Sequence, residues 1–295
     1  MIQSKGEKIY QVVIIIILAI VAFMMIMPLV LLFMSSITEE NTLVAYGYSF
    51  FPRKLSINAY AYIMQNSATV FRAYGITFIV TVIGTATSIL LVTMMAFPLS
   101  IKTLPGRNII SFFVFFTMLF NGGLVPTYIW YTTVIGIKNT LFAYLLPNFL
   151  MSAFNVILVR TYFMTNIPYE LYESAKVDGA SYARIYVQMA MPLSKPIIVT
   201  VGLFTGLGYW NDWTNGLYYI TDSSMLSIQA LLNKMIQDIQ ALAAHSTANS
   251  GALMNLPAVS IRMAIAFVGV LPILILYPFL QKYFASGIML GAVKG

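Results

Sequence analysis

The chain has no cysteine, a single histidine and little charge: only 8% of its residues are Asp, Glu, Lys or Arg. Without cysteine there is no disulfide, no thiol nucleophile and no cysteine metal site. The lone histidine, His245, stands beside Ser246 and Thr247 and reads as a solvated loop residue. No Gly-rich phosphate loop of the GxxxxGK[ST] kind occurs, so the chain is expected to hydrolyse no nucleotide by itself. Paired membrane aspartates, a His-Glu metal motif and a Ser-His pair are also missing, which argues against an intramembrane enzyme. The net charge of +7 does not mark a nucleic-acid binder, because the basic residues are scattered between apolar runs.

What the chain has in excess is apolar surface. Hydrophobic residues make up 60% of it and the mean hydropathy is +0.85, more than a soluble core of this length needs. The composition is that of an all-α, polytopic membrane protein. Val12 to Met34 carries no charge and is long enough to cross a hydrocarbon core of about 30 Å. It is longer than a signal core and no small-x-small site follows it, so a retained first span is expected. Further spans are expected at about 73–100, 109–131, 141–159, 197–220 and 263–280, six in all.

Between the spans the sequence is uneven. Ser35 to Arg72 reads as a polar connection with a short amphipathic segment near Ile57 to Met64. The second span carries Gly75, Gly84, Thr77, Thr81, Thr85 and Ser88, small residues that let helices approach closely. Its hydroxyls could also line a solute path. The third span breaks at Asn121, Gly122, Gly123 and Pro126, either as an interfacial helix end or as lining of a path, where a cavity or protein satisfies the freed backbone. The fourth is interrupted by Pro147, Asn148 and Asn155. The fifth ends in Tyr209-Trp210-Asn211-Asp212-Trp213. Asp212 there should face a cavity or the far interface, and the tryptophans suit an aromatic belt or sugar stacking. Loop 221–262 is mostly polar, with an amphipathic stretch from Leu226 to Leu242.

The most polar interruption is Ile167 to Pro196. It concentrates three of the nine acidic residues, Glu170, Glu173 and Asp178, with Lys176, Arg184 and Lys195. Pro168 can open a helix whose first turns carry Glu170 and Glu173, where a helix N-terminus favours negative charge. Gly179 can end it, Ser181 can cap a second helix to about Met191, and Pro192 and Pro196 are expected to stop that one. The pattern is a helix-turn-helix projecting from the membrane face. With the N-terminus inside, ten of the 16 basic residues fall on inner segments, and the short Lys102/Arg107 turn weighs most. Both termini and loop 167–196 are therefore expected in the cytoplasm.

Glu173, Ser174 and Ala175, then Asp178, Gly179 and Ala180, and later Pro192 resemble the EAA loop of ABC importer membrane subunits. Ser174 replaces the first alanine, and Met191-Pro192-Leu193 surround the distal proline. Six spans, Trp-Asn-Asp late in the fifth, Arg262-Met263-Ala264 leading into the sixth and the terminal Gly291-Ala292-Val293-Lys294-Gly295 look like the MalG type of carbohydrate importer permease. Phe120 to Pro126, Asn139-Thr140 and Pro147 are more similar to the LplC/YtcP branch, associated with oligosaccharides that often contain uronic acids. The resemblance implies a type I ABC importer fold and a permease forming half of a translocation pathway.

It also implies partners: a second homologous permease, an ATPase dimer carrying ATP and Mg, an extracytoplasmic solute-binding protein, a carbohydrate and membrane lipid. Glu170, Glu173, Ala175, Asp178, Gly179 and Pro192 would form the ATPase-coupling surface. The GAVKG tail would reach toward the ATPase dimer interface, and loop 221–262 would touch the solute-binding protein. Polarity at membrane depth and family position make Asn121, Tyr128, Asn155, Trp210, Asn211 and Asp212 the expected translocation path. The rival is an ion-coupled secondary transporter, using Asp212 and the broken third helix and working without an ATPase.

Overall fold

A computed structural model describes residues 5–65, 67–147, 150–245 and 258–292. Among them the regular structure is helical, with one isolated antiparallel bridge between Thr38 and Leu55. In chain order the helices are α1 (Lys5–Ser36), α2 (Glu40–Tyr46), α3 (Asn58–Gln65), α4 (Ser67–Ser100), α5 (Arg107–Leu119) and α6 (Leu124–Ile129), which runs on as a π-helical turn Trp130–Ile135. Then follow α7 (Phe142–Leu145), α8 (Ala153–Asn166), α9 (Tyr169–Val177), α10 (Tyr182–Ile185), α11 (Met191–Leu193), α12 (Lys195–Trp210), α13 (Thr214–Tyr219), α14 (Ile228–His245) and α15 (Ala258–Ala292).

Two helices are long and apolar enough to cross a membrane, Ile9–Ser36 and Ser67–Ser100. Two more arise if each sharply bent pair counts as one span: Arg107–Leu119 with Leu124–Ile135, bent by 110°, and Tyr182–Leu193 with Lys195–Trp210, bent by 80°. The first bend falls on Asn121-Gly122-Gly123, where Gly123 adopts φ +85. The expected 141–159 run holds only the short α7 and the start of α8, and the fifth helix stops at Trp210 rather than 220. Conversely, the polar connection 35–72 is shorter than expected, because α2, α3 and the first turn of α4 occupy much of it.

Contacts divide the chain into two units, 1–70 with 232–274 and 71–231 with 275–295. In the first, α1 is apolar on all faces and exposes Ile9, Ile16, Phe23 and Met25, as a helix does when lipid or another chain must cover it. Glu40 reaches the start of α15, its carboxylate accepting from the amides of Val259 and Ser260 at 2.8 Å each. These are amides that the first turn of a helix leaves unpaired.

The second unit is built on α4, α8 and α12. Gly84 of α4 lies directly beneath the Tyr209 ring, with ring atoms 2.5 and 2.6 Å from where a Cβ would be. Gly202 and Gly206 of α12 meet Ile89 and Thr85 in the same way. Of the hydroxyl residues of α4, Thr77 and Ser88 are buried and Thr81 and Thr85 half-buried, as the close helix approach requires. Thr77 donates to Ala73 and accepts from the amide of Ile228.

Candidate functional site

The polar interruption folds as two short helices on a buried underside. Glu170 occupies the first turn of α9 and Lys176 the last, the arrangement the helix dipole favours. The helix ends by a closed hydrogen-bond pattern: Gly179 N–H donates to Lys176 O at 3.0 Å and Ala180 N–H to Ala175 O at 2.9 Å. That is a Schellman motif, and Gly179, at φ +81, supplies its left-handed residue. Ser181 then accepts from the amide of Arg184 at 3.3 Å and caps α10. The second helix ends between the two prolines, two residues past the expected Met191. Helix continues from α10 through a π-helical turn into α11, which contains Pro192, and the break falls at Ser194; Pro196 sits in the first turn of α12. Proline is tolerated there because first-turn amides need no partner.

The two faces of α9 differ sharply. Tyr172 and Ala175 are buried with Ile185 and Ala190 in one core, together with Val92, Ala96 and Phe97 of α4 and Val156, Val159 and Phe163 of α8. The Tyr172 ring meets Phe97 edge-on at 5.8 Å, and burial pushes its phenol up to about 12. Thr93 of α4 and the Tyr186 hydroxyl are hydrogen-bonded at 2.8 Å. The other face carries Glu170, Glu173 and Val177, exposed like Asp178 and Gly179 in the turn that follows and Pro192 in α11, Val177 by 87%. A Cβ at Gly179 would meet nothing within 4 Å. The surface is therefore open and charged above and locked to two long helices below.

The turn after α4 and two tyrosines that the sequence did not single out, Tyr169 and Tyr182, make further contacts around it. Lys102 lies over the Tyr169 ring at 5.0 Å. Lys176 donates to the Tyr182 hydroxyl, and with Thr103 it holds that phenol below its usual value. Nothing in the local spacing announces these contacts, because Lys102 and Tyr169 are far apart in the chain.

The expected path residues do not gather into one site. Asn121 accepts from Gly123 N–H at 2.9 Å and so shapes its own bend. Tyr128 stacks on Tyr219 with centroids 5.7 Å apart. Asn155 donates to Thr205 at 3.3 Å, joining α8 to α12, and Trp210 meets Tyr74 at 6.4 Å. Asn211 is exposed and donates to Leu207 O. Asp212 is only 5% exposed and accepts from Asn215 N–H at 3.0 Å and Asn215 Nδ2 at 2.7 Å. It does not face an open cavity; the protein itself supplies the polar setting that its charge demands.

Asn139 emerges as a hub beside this region. At φ +55, its Oδ1 accepts from the amides of Thr221 at 2.7 Å and Asp222 at 3.1 Å. Among the described residues no group of His, Cys, Asp or Glu side chains could hold a metal ion. The terminal segment 293–295, part of the GAVKG tail, lies outside the described residues, as does most of loop 246–262.

Comparison with known proteins places this architecture. Residues 87–289 match the family of binding-protein-dependent transport system inner membrane components. Protein LplC of Bacillus subtilis is 35% identical over 99% of this chain and 97% of its own length. The polygalacturonan/rhamnogalacturonan transport system permease protein YtcP of the same organism is 35% identical over 93% of this chain and 94% of its own. A crystal structure of a bacterial ABC transporter involved in the import of the acidic polysaccharide alginate superposes one of its chains with a TM-score of 0.78 at 28% identity, covering 96% of this chain and 99% of that one. The chain belongs to this family: it is a permease subunit of an ABC importer with the type I fold, a transport component and not an enzyme. As such it works with an ATPase and a solute-binding protein.

Proposed function

We propose that the chain forms half of the translocation pathway for an oligosaccharide that contains uronic acids, and couples closure of an ATPase dimer to alternating access. A second homologous permease supplies the other half. In this reading the chain crosses the inner membrane six times, with both termini and segment 167–196 in the cytoplasm and loop 221–262 outside. ATP and Mg stay on the ATPase. ATP binding closes that dimer, the docked α9 moves with it, and α4 and α8 follow because Tyr172 and Ala175 are packed into them.

The observation that carries the proposal is the two-faced α9. Its exposed Glu170 and Glu173, with Asp178 and Gly179 in the following turn and Pro192 exposed on α11, suit a cleft in the ATPase, and its buried face ties motion to the long helices. The acidic polymers in the names of YtcP and of the alginate transporter support the substrate class. Asn121, Tyr128, Asn155, Trp210 and Asn211 line the path in this reading, and Asp212 holds the end of α12 from behind.

The test is uptake of labelled oligogalacturonides against neutral oligosaccharides of equal length in a deletion strain complemented with the wild type or Gly179→Asp. Uptake of the acidic set that disappears in the variant supports the proposal. Equal uptake of both sets removes the substrate class, and uptake that persists in ATPase-deficient cells would favour an ion-coupled transporter.

A further inference from the structure

Arg107 opens α5 and Arg160 lies in the second half of α8, and these two helices pack on each other. Arg160 Nε donates to Leu99 O at 3.0 Å. Arg107 Nη1 is shut off from solvent with no hydrogen-bond partner, and burial, with the nearby charge of Arg107 added to it, pulls the Arg160 guanidinium below its usual value. No carboxylate answers them. The chain has no aspartate or glutamate between Glu40 and Glu170, and among the described residues neither arginine pairs with a carboxylate. Two like charges, one partly desolvated, are costly unless an anion lies with them.

The same helix faces continue into an apolar groove. Ile110, Val114 and Thr117 follow Arg107 at helical spacing on α5, and Val156 and Ala153 precede Arg160 at helical spacing on α8. With Met95 they help to line a cavity of about 240 Å³. Arg107 and Arg160 stand one helical turn beyond this apolar trough on the same pair of helices, which is the chemistry of a phospholipid and not of a free sugar. Basic pockets between spans on the cytoplasmic side are where anionic headgroups bind.

We propose that Arg107 and Arg160 hold the phosphate of an anionic phospholipid whose acyl chain lies in the α5–α8 groove. The site rests on the reading above that this end of α5 and α8 lies at the cytoplasmic face of the membrane. Inorganic phosphate could satisfy the arginines alone, but it would leave the groove unused.

The experiment is native mass spectrometry and thermal unfolding of the full-length chain, purified in mild detergent and stripped of lipid, with phosphatidylglycerol, phosphatidylcholine of the same chains, or inorganic phosphate added. Wild type is expected to retain and be stabilised by phosphatidylglycerol over phosphatidylcholine. The double variant R107Q/R160Q should weaken that binding roughly tenfold or more, the scale of one lost charge-assisted hydrogen bond, and R107K/R160K should keep most of it. Val114→Trp fills the groove with both arginines intact, and should lose phosphatidylglycerol while still responding to phosphate. Equal binding of the two lipids, or stabilisation by phosphate that matches phosphatidylglycerol, overturns the proposal. A wild type that binds none of the three does so too, and leaves a carboxylate of a companion chain as the arginines' partner. Because binding is read as mass, its failure leaves the importer reading standing, and a failed uptake assay leaves this site standing.

Discussion

Replacing Gly179 separates what segment 167–196 needs in order to fold from what the proposed docking needs. Its φ of +81 is the left-handed region, which costs a residue with a Cβ about 1–2 kcal/mol. Asparagine tolerates that region better than alanine. Inside the chain there is room for either side chain, since a Cβ there would meet nothing within 4 Å. If only the fold mattered, Gly179→Ala would lower the population of the closed Schellman turn by roughly 5- to 30-fold, and Gly179→Asn would largely restore it. Limited proteolysis across 177–182 reads that population directly. If the exposed face sits in an ATPase cleft, both substitutions push a side chain into the partner. ATPase retention and uptake should then fall for both variants, although Asn spares the turn. Wild-type ATPase retention and uptake in Gly179→Asn would refute the close docking of this face.

The remaining expectations concern packing and capping. Gly84→Val should lower the thermal stability of the purified chain by about 1–3 kcal/mol, the cost of overpacking, because the Tyr209 ring occupies the space of the new side chain; the loss should shrink when Tyr209 is also truncated. Asp212→Ala leaves Asn215 N–H and Nδ2 without their acceptor in a buried place, at a cost of about 1–3 kcal/mol, and should reduce assembled protein in the membrane rather than change the substrate concentration for half-maximal uptake. Asn139→Ala removes the acceptor of the Thr221 and Asp222 amides and places alanine at φ +55, so its destabilisation, read by thermal unfolding, should exceed that of Asn139→Asp. Glu40→Ala should loosen the start of α15, seen as faster amide exchange at Val259 and Ser260, whose N–H groups it now caps.

The legible parts of this protein were those written in local chemistry. Long uncharged runs announce α1 and α4, because helix is the cheapest way to satisfy a backbone in lipid. Segment 167–196 was legible for the same kind of reason: Glu170 and Lys176 at opposite ends of α9, Gly179 at its left-handed end and Ser181 at the next cap each act within a few residues of themselves. The end of the second helix was legible to within two residues, since it breaks at Ser194 between Pro192 and Pro196; that a π-helical turn carries it past Pro192 was not. Tertiary structure alone decided which polar groups are free. The polar partner that buried Asp212 needs proved to be Asn215, and the close approach expected of the α4 small residues is made by Tyr209 against Gly84, while Thr77 accepts from the amide of Ile228. Neither could Arg107 and Arg160 be paired from sequence, because the turn and helices between them leave their meeting to the packing of α5 on α8.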